Sequence, residues 1–136
     1  MVVCSAFAAA VLVLTGCSSD ARTTDAPGSA VREAHSAVAG LALAVRLELD
    51  DRATAPMAQV TLDQTLEAVA AAQQELVTAT DADPQRRSEA AAAVRKAVDV
   101  LIGFGDRGAG ALTRADLQAL QDAERELAST AGSLHA

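Results

Sequence analysis

From Val31 to Leu134 apolar side chains return every three or four residues, in four runs separated by short polar or proline-containing breaks. That is the period of a helix. At 3.6 residues per turn it gathers the apolar groups into one stripe, whereas a half-buried strand alternates every second residue. Val31, Ala34, Val38, Leu41, Val45 and Leu49 form the first stripe, and Leu62, Leu66, Val69, Leu76 and Val77 the second. Ala90, Val94, Ala97, Val98, Leu101 and Phe104 form the third, and Leu117, Leu120, Leu127, Ala131 and Leu134 the fourth. A strand reading competes only at Leu41-Leu43-Val45-Leu47-Leu49, which lies inside a helix-periodic segment rich in good helix formers.

The breaks carry matching start signals. Ser29 is placed to cap a first helix over about 30–51, and Pro56 suits the first turn of a second over about 57–80. Asp83 and Pro84 open a third over about 84–105, whose end is weakened by Gly103, Gly105 and Gly108. Thr113, with Asp116 three residues on, approximates a capping box for a fourth over about 114–134. Leu112 and Leu117 occupy the two positions of a hydrophobic staple. Four amphipathic helices with short connections predict an all-α domain, a small antiparallel up-and-down four-helix bundle over 29–136. In that topology the start of helix one shares an end with the Asp81–Asp83 loop and the C-terminus. The Asp50–Pro56 and Gly105–Leu112 loops share the other end.

Ahead of the bundle, Phe7–Leu14 is an apolar run too short to span a bilayer, followed by Leu14-Thr15-Gly16-Cys17 and the polar Ser18-Ser19-Asp20. An aliphatic residue, two small residues and a cysteine in this order resemble the lipobox of bacterial lipoprotein precursors. The departure is the lack of Lys or Arg before Arg22, where secretory leaders begin with a basic stretch. The resemblance implies a cleaved signal peptide at 1–16 and a diacylglyceryl group on the sulfur of Cys17. It further implies residence on the extracytoplasmic face of the cell membrane, while residues 17–28, polar, without an apolar period and ending in Pro27-Gly28, read as a flexible tether. Two acyl chains hold a protein stably where one holds it marginally.

Charge and composition exclude several function classes. The formal charge is −7, and none of it falls in residues 1–16. An acidic body lacks the basic stripe of a nucleic-acid binder and gains nothing from anionic lipid. Beyond residue 16 Phe104 is the only aromatic, which disfavours sugar and base stacking. Cys4 would leave with the leader and Cys17 would carry lipid, so stability rests on packing and not on disulfides. Lys96 is the one lysine among eleven basic residues; with the abundant alanine this suggests a high-GC, actinobacterial source.

No constellation carries catalysis or cofactor binding. Gly103-Phe104-Gly105-Asp106-Arg107-Gly108 spells G-x-G-x-x-G, but a helix precedes it where a dinucleotide site needs a strand, so it reads as a helix-end loop. His35 and His135 stand far apart in sequence, and no Glu-x-x-His pair offers a metal site. Glu48, Asp50, Asp51, Asp106 and Asp116 gather at one end, but Arg52, Arg107 and Arg114 are there to compensate them. Gln73 and Glu124 interrupt apolar stripes, and either lie at the bundle edge or pair with each other or an arginine. Leu43 and Leu47 lie opposite the main stripe of helix one, and either pack within the fold or mark a partner or dimer face. The sequence thus predicts a non-enzymatic, membrane-anchored module that binds or scaffolds another envelope protein. The alternative is a carrier of an apolar small molecule in an alanine-lined bundle cavity.

Overall fold

The computed structural model describes residues 25–136, and the leader, the lipobox and Cys17 lie outside them. The described residues form four helices: α1 (Ala26–Leu49), α2 (Ala55–Thr78), α3 (Pro84–Arg107) and α4 (Arg114–His135). A single 3₁₀ turn, Ala109–Ala111, precedes α4. Among the described residues there is no strand, and no helix is long and apolar enough to cross a membrane.

α1 starts four residues before the expected Ala30, and the expected Ser29 cap is replaced by Asp25. Pro27 falls in the first turn, where its fixed φ favours a helix and its missing N–H is not needed. A proline that looked like the end of a tether is therefore a helix start. Ala26, Pro27 and Gly28 are buried, so the last three residues assigned to the tether belong to the folded body.

The other termini follow local chemistry. α1 ends in a Schellman motif, in which Arg52 N–H donates to the Leu47 carbonyl at 2.7 Å and Asp51 N–H to that of Glu48 at 3.0 Å. Asp51 takes the left-handed position, φ 56°, usually given to glycine. Asp83 caps α3 by accepting from Arg86 N–H at 2.9 Å. The Thr113–Asp116 capping box is complete in both directions, and Leu112 and Leu117 are both buried. α3 runs on to Arg107, through Gly103 and Gly105, so those glycines belong to its last turns and not to a loop.

The topology is up-down-up-down. Asp25 at the start of α1 pairs with Arg86 in the first turn of α3, and Arg32 reaches His135 at the end of α4. At the opposite end Arg114 pairs with Asp50, and Ala109 N–H donates to the Gln59 side chain at 2.8 Å. α1 packs against all three other helices, and α3 against α2 and α4, so α1 and α3 lie on the short diagonal.

One continuous core fills the bundle. Val31, Val38, Leu41 and Val45 of α1 are fully buried with Leu62, Val94, Leu120 and Leu127 of the other helices. Alanines 30, 34, 58, 72, 90 and 97 join the same cluster. Three expectations shift. Leu49, Leu66, Val98 and Ala131 are only partly buried. Val77 is 71% exposed, because it follows buried Leu76 and a helix turns about 100° per residue. Thr65 is buried instead, its hydroxyl donating to the Thr61 carbonyl at 2.7 Å and lying 3.3 Å from that of Ala37.

Candidate functional site

The outer face of α1 is where the structure and the sequence expectation meet most directly. Leu43 is two residues past the fully buried Leu41, a rotation of about 200°. It is 54% exposed, and Leu47, one turn on, is half-buried. Neither belongs to the core cluster; Leu43 is left open, while Leu47 is partly covered by the fold. Gly40, one turn before Leu43, has no atom within 4 Å of where a Cβ would stand. The three positions make a shallow apolar strip on a face whose reverse side holds the bundle together.

The end of the bundle next to this strip is held by ion pairs. Arg107 meets Asp116 with two donors, at 2.7 and 3.1 Å, the paired geometry that makes arginine–carboxylate contacts strong. Asp116 also accepts from Thr113 N–H at 2.8 Å. The Arg107 hydrogen bond, helped by those from Thr113 and opposed by desolvation, lowers the Asp116 carboxyl from 3.8 to about 2. The same bond raises Arg107. The Arg107 guanidinium also lies 5.5 Å from the centre of the Phe104 ring. Arg114 meets Asp50 at 3.0 Å.

The acidic residues expected at this end therefore do not converge. Asp50 and Asp116 each have an arginine, Asp51 sits in the left-handed turn, and Asp106 is exposed on α3. Glu48 has one buried carboxylate oxygen, Oε2, without a hydrogen-bond partner. Among the described residues no three His, Cys, Asp or Glu side chains come together in a way that could hold a metal ion.

Both histidines are used at the surface. His35 Nε2 lies 3.8 Å from Glu124 Oε1, across α1 and α4. Glu124 thus faces a histidine, and not Gln73 or an arginine. Arg32 donates to His135 Nε2 at 2.5 Å and to Asp25 at 3.3 Å, while Arg86 reaches Asp25 and the Leu134 carbonyl. This cluster ties the start of α1 to the end of α4. Its members are dispersed over the sequence and carry no motif, so only the tertiary structure reveals it.

Two clefts open at the surface. One, of about 540 Å³, lies between α2 and α3 and includes Gln73 in its lining. The other, of about 520 Å³, lies beside Asp25, Arg86 and His135. Both are open to solvent. Cys17, the expected lipidation site, lies outside the described residues. Compared with protein-family models, with curated proteins and with solved structures, the chain matches none.

Proposed function

We propose that the protein is a non-enzymatic lipoprotein, held through a diacylglyceryl group on Cys17 at the extracytoplasmic face of the cell membrane. It presents its bundle as an interaction or scaffolding module to another envelope protein. The observation that carries the interaction reading is Leu43, 54% exposed opposite a fully buried stripe and continuous with half-buried Leu47. Apolar surface left on one face of a packed helix favours association with a partner. The anchor reading rests on Leu14-Thr15-Gly16-Cys17 and the apolar run before it. With the membrane at the Asp25 end of α1, the loop at Asp50 and the Gly108 turn would stand outermost.

Two experiments test the two halves. Cys17→Ala should release the protein from the membrane fraction or leave an unprocessed precursor; unchanged membrane retention with normal processing rejects the anchor. A photo-crosslinker at Ser36, one turn before Gly40, should capture a discrete envelope partner in cells, and Leu43→Glu with Leu47→Glu should abolish the capture. Recovery of the same partner by both forms rejects the α1 face.

A further inference from the structure

The cleft between α2 and α3 plays no part in the reading above, and its chemistry is distinct from that of the α1 face. Its volume, about 540 Å³, falls within the range of roughly 300–1,000 Å³ typical of small-molecule sites. Leu76 and Val77 of α2 face Ala91 of α3 across it, and Pro84 lines it at the start of α3. Val77 is 71% exposed here, which explains why this member of the α2 stripe lies outside the core. From Pro84 to Arg95 the α3 wall is about 16 Å long at 1.5 Å per residue. That is close to the depth an acyl chain occupies in one leaflet, half of the ~30 Å hydrocarbon core of a bilayer.

Charge narrows the class of ligand. The chain carries a formal −7, yet among the described residues no carboxylate lines this cleft, and Arg87 and Arg95 both do. Arg87 is partly engaged, its Nη1 donating to the Ala79 carbonyl at 3.2 Å. Arg95 is exposed and has no hydrogen bond or ion pair among the described residues. Gln73, the polar residue that interrupts the α2 stripe, supplies a side-chain amide to the same cleft. A guanidinium and an amide at the rim of an apolar trough recognise a carboxylate head on a hydrocarbon tail.

We propose that the α2–α3 cleft binds a single-chain anionic amphiphile, a long-chain fatty carboxylate. Arg95 and Gln73 hold the head group, and the tail lies on Leu76, Val77 and Ala91 toward Pro84. Arg87, eight residues before Arg95 and so about 12 Å from it along the helix, keeps its bond to the Ala79 carbonyl at the far end of the cleft. The site stands or falls independently of the α1 face, since it shares no residue with it.

The test is calorimetric titration of the full chain, carrying Cys17→Ser so that it has no acyl group of its own, with dodecanoate below its micelle concentration. One saturable site is expected. Arg95→Gln should weaken it about tenfold, and Ala91→Phe should abolish it with the helical circular dichroism unchanged. Dodecanol should bind at least tenfold more weakly than dodecanoate, and acetate not measurably. No binding of dodecanoate overturns the proposal, as does equal affinity for dodecanol or for acetate. Binding that survives both Arg95→Gln and Ala91→Phe also overturns it. If the protein sediments as a dimer that Ala91→Phe converts to monomer, a second copy occupies the cleft and the proposal fails.

Discussion

Glycine stands at Gly40, where the helix interior disfavours it, and not at Asp51, where the backbone calls for it. Gly40 is in the interior of α1, where glycine costs about 0.5–1 kcal/mol relative to alanine, and a Cβ there meets no atom within 4 Å. Asp51 occupies φ 56°, where a side chain is strained and glycine is not. Gly40→Ala should therefore stabilise the bundle by about 0.5–1 kcal/mol, and Asp51→Gly by up to about 1 kcal/mol. Urea unfolding of each variant checks both, and a loss of stability in either would show an unrecognised contact. The first site was readable as a mid-helix glycine. The second was not, because a left-handed aspartate has no sequence signature apart from the turn it sits in. Val77 makes the converse point: it matched the helical period, but its neighbour Leu76 took the inward position.

At the scale of elements, the start of α4 was the most legible feature of the chain. Thr113, Asp116, Leu112 and Leu117 form a local pattern whose physics is complete within six residues; the capping box is formed as expected and both leucines of the staple positions are buried. What the pattern did not contain is Arg107, which arrives from α3 and lowers the Asp116 carboxyl to about 2. A carboxyl depressed in the folded state contributes stability above its unfolded value of 3.8, and that contribution is lost as pH falls through about 2. The stability gap between wild type and Asp116→Asn should therefore be full at neutral pH, narrow from about pH 4 downward and close only below about pH 2. Parallel urea titrations at several pH values measure this, and a gap independent of pH would remove the ion pair from the account. The start of α1 was misread for the opposite reason. Pro27-Gly28 looks like a turn on its own, and only burial of Ala26, Pro27 and Gly28 decides that the helix begins there.

For the whole molecule, one core couples all four helices. Leu120 is fully buried on α4, in the same cluster as Leu41, Leu62 and Leu101. Leu120→Ala should cost about 2–5 kcal/mol, through lost transfer energy and the cavity left behind. The unfolding should remain a single transition, because no helix has a core of its own; thermal unfolding followed by circular dichroism and by calorimetry reports both quantities. Two separated transitions would mean that part of the bundle is an independent unit.

Helix count, antiparallel order, most of each inward stripe and the caps of α3 and α4 are legible along the chain. These follow from spacing along the chain and from hydrogen bonds closed within one turn. The tertiary structure alone decided where apolar side chains were left over. Leu43 and Leu47 remain outside the core because α1 already uses its other side against three helices. Val77 and Arg95, from different helices, line the same cleft between α2 and α3. It also decided which charges meet. Arg107 with Asp116 and Arg114 with Asp50 come from different elements. Pairing across elements depends on how helices are placed in space, which no local period encodes.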